Sequence, residues 1–167
     1  MKLCCAIPEV EKAPSVHSCP ACGGRAKKVE RITMENLLRP ALVPQIGSTL
    51  YYFCETVTCP VVYFPYDSGA AVFQKPDLRV RVGLKETEDP LPICYCLEIT
   101  RKDIWDEIHE AETTTVAGRI KAEVQAGHCA CEVKNPSGKC CLGNVARVVQ
   151  QGFKAIRSVA GAGKTSD

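Results

Sequence analysis

The sequence predicts an α+β protein in which a small β-rich subdomain precedes a small helical one. Three observations carry that reading. Between residues 49 and 83, aromatic and β-branched residues gather in short stretches separated by turn residues. Beyond residue 91 the apolar residues recur at i, i+4 and i+8 instead. All twelve cysteines fall into local pairs, with zero, one, two or four residues between partners.

In chain order, residues 1–17 read as a flexible N-terminal arm containing Pro8 and Pro14. "SCPACGG" (18–24) reads as a tight turn, and a short helix is expected around Met34–Leu38, ending before Pro40. "TLYYFC" (49–54), "VVYFP" (61–65), "AAVFQ" (70–74) and "LRVRVG" (78–83) read as four strands. The polar, Pro-containing "KETEDPLP" (85–92) marks the boundary between a subdomain at 18–85 and another at 91–160. The first helix of the second half starts at Thr100 as N-cap. Asp103 stands at the capping-box position, and Ile99 and Ile104 form a hydrophobic staple. Its buried face carries Ile104, Ile108 and Ala111, with Trp105 beside it. The next helix buries Val116, Ile120 and Val124 and stops at Gly127. A last helix from Leu142 to Val159 buries Val145, Val148, Val149, Gly152, Ile156 and Val159, leaving Arg147, Lys154 and Arg157 to water. The tail 161–167 includes "GAGKTSD", which lacks the first glycine of a phosphate loop because Ser158 stands there.

With 167 residues, 46% hydrophobic and 24% charged, the chain is expected to fold as one or two domains. A formal net charge of +2 argues against nucleic acid or an acidic membrane surface as partner. No apolar run reaches the ~18 residues of a membrane helix, and the apolar start before Pro8 and Glu9 is too short for a secretory leader. A cytoplasmic protein is expected, and in a reducing compartment closely paired cysteines hold metal more often than disulfides.

Cys19-Pro-Ala-Cys22-Gly-Gly is a knuckle whose turn aims two sulfurs at one point. A second pair, Cys54 and Cys59, follows between two aromatic strands, as in a zinc ribbon. Four thiolates suit tetrahedral Zn²⁺. A closed site of this kind is structural, and it would add folding free energy to a thin core. A redox dithiol of the thioredoxin type would open a helix, whereas Gly-Gly follows here. His17 is expected to be a solvated neighbour.

Cys94-Tyr-Cys96 has one residue between thiols, a spacing uncommon for zinc and suited to one iron of a 2Fe–2S cluster. Thirty-four residues separate Cys96 from Cys131, room for two helices that return the chain to "CACEVKNPSGKCC". The cluster needs four thiolates, and the helix starts near Thr100 and Leu142 would set positive dipole ends beside an anionic centre.

"FCETVTCPVVYF", "RVGLKETEDPLPICYC" and "NPSGKCC" together resemble the Cys-rich domain of CopZ-type copper chaperones of the archaeal kind, over about residues 18–160. In that family a zinc-binding subdomain is fused to a 2Fe–2S subdomain related to bacterioferritin-associated ferredoxin. The resemblance implies zinc on Cys19, Cys22, Cys54 and Cys59. It implies the cluster on Cys94, Cys96, Cys131 and one of Cys140/Cys141, with Cys141 favoured and Cys129 and Cys140 as alternates. Unlike the family's chaperones, this sequence contains no MxCxxC motif of the heavy-metal transfer domain.

Cys4 and Cys5 are a vicinal pair that thiolate chemistry would suit to Cu⁺, set against an accidental pair in an arm. His128 is expected to face solvent, as are His109 and Glu112. The acidic run Asp103, Asp106, Glu107 and Glu110 reads as a solvated helix face, or as a dock for a basic redox partner. The expected function is electron transfer and metal handling without enzymatic turnover, apart from stoichiometric reduction of Cu(II) before Cu(I) capture. Its partner would be a redox protein or a copper-transporting protein. The alternative is a ferredoxin-like adaptor for a partner enzyme with no copper role, and a zinc-ribbon module touching nucleic acid is disfavoured by the charge.

Overall fold

The computed structural model describes residues 14–162. The arm carrying Cys4 and Cys5 and the end of the tail lie outside the described residues.

The first half is a five-stranded antiparallel meander: β1 (Val16–Ser18), β2 (Arg25–Val29), β3 (Tyr51–Cys54), β4 (Val61–Pro65) and β5 (Phe73–Gln74), paired in that order. One short helix, α1 (Arg31–Leu37), and a 3₁₀ turn at Pro40–Gln45 fill the connection between β2 and β3. β3 and β4 read as unbroken apolar runs because the sheet is covered on both sides. Val29, Met34, Leu37, Tyr51, Phe53, Val62, Tyr63 and Phe73 share one core. Ala26, Tyr52, Val61 and Phe64 pack on the other face around Cys19, Cys54 and Cys59. Val62 and Tyr63 face the same core because the β4–β5 register shifts between Val61 and Tyr63, a bulge that adds one residue to the alternation.

The second half opens with a hairpin, β6 (Pro92–Cys94) and β7 (Ile99–Thr100). It continues through α2 (Arg101–Ala111), α3 (Val116–Gln125), the single turn α4 (Cys131–Lys134) and the long α5 (Leu142–Ala162). Thr100 caps α2 as expected: its hydroxyl accepts from the Asp103 N–H, and its own N–H donates to the Asp103 carboxylate. Leu91, Ile93, Ile99, Ile104, Ile108, Val116, Ile120, Val145 and Val148 make a core separate from that of the sheet.

Several expectations change. Strand structure begins at Val16, inside the stretch read as an arm, and pairs with β2. β2 escapes a pattern reading because its two buried residues face opposite sides of the sheet, Ala26 toward the cysteines and Val29 toward the main core, among Arg25, Lys27 and Lys28. "LRVRVG" is not a strand. Leu78 makes one bridge to Leu38, and the Arg79 N–H donates to the Leu37 carbonyl, so this segment follows the end of α1 instead of joining the sheet. "AAVFQ" contracts to Phe73–Gln74. Val159 is 75% exposed and Ala111 and Val124 are also exposed, because α5 runs past the body and the ends of α2 and α3 lie at its rim.

The halves meet through polar anchors. The Thr33 hydroxyl donates to the Glu132 carbonyl at 2.6 Å, and the buried Tyr63 hydroxyl donates to the Pro136 carbonyl at 2.7 Å. The Gly83 N–H donates to the Tyr95 hydroxyl, which in turn donates to the Arg81 carbonyl, both at 2.8 Å. A Cβ on Gly83 would stand 2.0 Å from the Pro92 carbonyl oxygen, and neither backbone can yield there. Gly83→Ala is therefore expected to cost about 1–3 kcal/mol or more as overpacking, read as a lower urea midpoint.

Acid sensitivity is built into the start of α2. Arg101 donates to the two oxygens of Asp89 at 3.0 and 2.7 Å, and this hydrogen bonding holds the Asp89 carboxyl below its ordinary value. The Thr100 hydroxyl and N–H lower Asp103 in the same way. Both values are depressed in the folded state. Their stabilisation is therefore full above the unfolded value of about 3.9 and is lost as pH falls through the lower folded value. Trp105, the chain's single Trp, lies 5.1 Å below the Arg101 guanidinium and reports on this region. Its urea midpoint is expected to fall from about pH 5 to about pH 3, and to fall less steeply in Asp89→Asn.

Candidate metal centres

At the outer face of the sheet, the sulfurs of Cys19, Cys22, Cys54 and Cys59 all lie within 4.8 Å of one another. Cys22 and Cys54 are 3.7 Å apart, close to the ~3.8 Å edge of a tetrahedron built on Zn–S bonds of ~2.3 Å. Each pair comes from a turn. In the first, the Gly23 N–H donates to the Cys19 carbonyl, and the Gly24 N–H points at Cys22 Sγ at 3.4 Å. A Cβ on Gly24 would sit 2.0 Å from Thr56 Oγ1, so the knuckle needs glycine there. In the second, the Cys59 N–H donates to the Thr56 carbonyl.

The environment divides the four thiols. The Thr56 hydroxyl, 3.3 Å from Cys22 Sγ, and the Gly24 N–H favour the Cys22 thiolate and bring it down to about 6. Burial pushes Cys19 up to about 12 and raises Cys59. Three buried sulfurs with one exposed make a closed set whose donor chemistry fits a structural Zn²⁺.

Lys85 belongs to this centre although it falls in the stretch read as a polar linker. It is 4% exposed, and its ammonium donates to the carbonyls of Thr56 at 2.7 Å and Cys59 at 3.1 Å, both in the second knuckle. No carboxylate pairs with it among the described residues, whereas buried charges are ordinarily paired. Its two acceptors belong to the backbone of the loop that carries Cys54 and Cys59. Nothing in local sequence marks this lysine; only the path of the chain back to the sheet reveals it.

The second group lines a cavity of about 170 Å³ in the helical half. Cys94 ends β6, Cys96 lies in the turn before β7, Cys129 and Cys131 flank the start of α4, and Cys141 immediately precedes α5. Leu97, Ile120 and Val124 wall the space. The Cys96 and Cys131 sulfurs are 3.6 Å apart, those of Cys129 and Cys131 are 3.2 Å apart, and the Ala130 N–H donates to Cys96 Sγ at 3.3 Å. A hydrogen bond from the Cys141 thiol, helped by the N–H groups of Leu97 and Cys96, favours the Cys94 thiolate and brings it down to about 6. The same bond and burial push Cys141 up, and burial pushes Cys131 up. Five soft sulfurs around one cavity, beside the N-terminus of a long helix, form a donor set that fits an iron–sulfur centre.

Cys140 is exposed and faces a different groove, with Lys139 and Arg147, while Cys141 turns inward. His17 is not simply solvated. It is half-buried against Tyr52, Phe64 and Tyr66, apart from the four sulfurs, because β1 lays it on the aromatic face. His128 is exposed as expected, held at 2.8 Å by Glu123 on the rim of the cavity. On α2, Asp106 pairs with Lys102 and Glu107 with Arg119.

Residues 16–79 match the zinc binding domain family of CopZ proteins. The X-ray structure of the Archaeoglobus fulgidus CopZ N-terminal domain superposes with a TM-score of 0.64 at 33% identity, covering 79% of this chain and 97% of that one. The chain is a homologue of the CopZ N-terminal domain. The copper chaperone CopZ of Archaeoglobus fulgidus is 32% identical over 133 residues, which are 78% of this chain and 60% of that protein. The chain thus matches less than two thirds of the length of CopZ. The matched zinc binding domain spans all five strands and contains Cys19, Cys22, Cys54 and Cys59. The CopZ-like fold extends beyond it into the helices. No helix among the described residues is long and apolar enough to cross a membrane.

Proposed function

We propose that this chain is a two-centre metal-handling protein of copper trafficking. Cys19, Cys22, Cys54 and Cys59 hold a structural zinc, and Cys94, Cys96, Cys131 and Cys141 hold a 2Fe–2S cluster. The observation that carries the reading is the cavity beside the start of α5 that five cysteines line, with the sulfurs of Cys96, Cys129 and Cys131 within 4.8 Å of one another. It is supported by likeness to a protein described as a copper chaperone. A 2Fe–2S cluster bound there supplies one electron at a time, enough to convert one Cu(II) to Cu(I), and a donor protein must restore that electron.

The residues around the cavity suit such a role. Leu97, Ile120 and Val124 line it, the Ala130 N–H donates to Cys96 Sγ, and the exposed Cys129 and His128 stand at the edge where a partner or copper would approach. Thiolates outside the two centres are soft enough to retain Cu(I).

Anaerobic purification with metal analysis and a visible spectrum tests this. About two irons, two acid-labile sulfides and one zinc per chain are expected, with bleaching by dithionite. A colourless protein that stays so after reconstitution with iron and sulfide overturns the cluster. A cluster that is present but neither reoxidised by Cu(II) nor accompanied by Cu(I) retention makes the chain a redox adaptor without a copper role.

A further inference from the structure

We infer that Cys129 and Cys131 are interchangeable ligands at one position of the second centre, an inference that rests on the cluster reading above. A 2Fe–2S cluster takes four thiolates, and the cavity presents five: Cys94, Cys96, Cys129, Cys131 and Cys141. The surplus is at a defined place. The Cys129 and Cys131 sulfurs are 3.2 Å apart, closer than Cys131 is to Cys96, and the sulfurs of Cys96, Cys129 and Cys131 all lie within 4.8 Å of one another. Cys129 and Cys131 therefore offer sulfur to the same point from either side of Ala130.

The two differ in access. Cys131 is buried at the first turn of α4, whereas Cys129 is exposed on the stretch before it, which has no regular structure after Gly127. Gly127 takes φ +77°, where the chain leaves α3. A small rotation about this segment is enough to exchange one sulfur for the other, with the Ala130 N–H as pivot on Cys96. In the exchange the iron–sulfur bond to Cys131 breaks and one to Cys129 forms. The Cys129 proton passes to Cys131, and no electron moves. Cys129 is thus the thiol that meets iron from solvent during loading, and Cys131 is the one that encloses it.

The test compares the intact wild-type chain with C129S, C131S and C129S/C131S, each reconstituted anaerobically with ferrous iron and sulfide. Iron, zinc and visible circular dichroism are measured. The expected result is wild-type iron in C129S, at least half the wild-type iron in C131S with a changed visible dichroism, and loss of iron in the double variant. Iron as low in C131S as in the double variant, with its zinc retained, overturns the exchange. Should C131S lose zinc as well, anaerobic alkylation of cluster-loaded wild type by iodoacetamide decides, with Cys140 labelled in either case. Label shared between Cys129 and Cys131 supports the exchange, and label on Cys129 without Cys131 overturns it. A wild type that takes up no iron overturns the cluster itself, and the exchange with it.

Discussion

Cys54→Ser is expected to strip the zinc and collapse the sheet. Cys54 is fully buried at the end of β3, the central strand, and one sulfur of the four comes from it. Serine leaves three thiols and a buried hydroxyl whose oxygen is a poor ligand for zinc beside thiolates. The face of the sheet that depends on the site is small: Ala26, Tyr52, Val61 and Phe64 around the cysteines. Structural zinc supplies roughly 10–16 kcal/mol of binding free energy to small zinc domains, against a total stability of about 5–15 kcal/mol for an ordinary domain. Little of the first half is expected to survive its loss. Zinc per chain should fall well below one, and the near-ultraviolet dichroism of the stacked Tyr52–Phe64 pair should disappear. Full zinc content with an unchanged aromatic spectrum would show that the four sulfurs do not share an ion.

Lys85→Met is the second large effect. The substitution keeps most of the side-chain volume and removes the ammonium. The carbonyls of Thr56 and Cys59 lose their donor in a buried place, at about 1–3 kcal/mol for each group left unsatisfied. The charge goes too. Four thiolates and one Zn²⁺ together carry two negative charges, and Lys85 is the cation buried against the second knuckle. Groups that support metal ligands in this way are typically worth about 10–100-fold in metal affinity, so zinc transfer to a chelator is expected to accelerate by at least about tenfold. Unchanged transfer kinetics in a folded Lys85→Met would remove Lys85 from the centre.

Both centres were legible in part. The knuckle Cys19–Cys22 and its partner pair announce themselves by local spacing and by the glycines after Cys22, and the structure brings those four sulfurs together. The start of α2 was equally plain, because a capping box is a four-residue pattern. What sequence could not give were features made by distant segments. Lys85 looked like linker because its partners lie 26 and 29 residues away. β1 reads as polar because it is a three-residue edge strand, and β2 because Arg25, Lys27 and Lys28 surround its only two buried residues although it is paired on both sides. "LRVRVG" alternates like a strand, yet its backbone hydrogen bonds go to the end of α1, and no local pattern chooses between those partners. The convergence of Cys129 with Cys131 follows from the turn around Ala130, which spacing alone leaves undecided.

The two halves have separate cores, yet they are not modules that can be exchanged. The second knuckle takes two hydrogen bonds from Lys85, which lies in the very segment where a boundary would be drawn. Cys131, in turn, opens a single helical turn that is moored to the sheet half, through Thr33 to Glu132 and through Tyr63 to Pro136. A cut before Lys85 leaves the Thr56 and Cys59 carbonyls without their donor. A cut after it leaves Thr33 and Tyr63 without acceptors and sets the Cys131 loop adrift. Grafting either half alone would cut these shared contacts, Lys85 to the second knuckle and Thr33 and Tyr63 to the loop around α4.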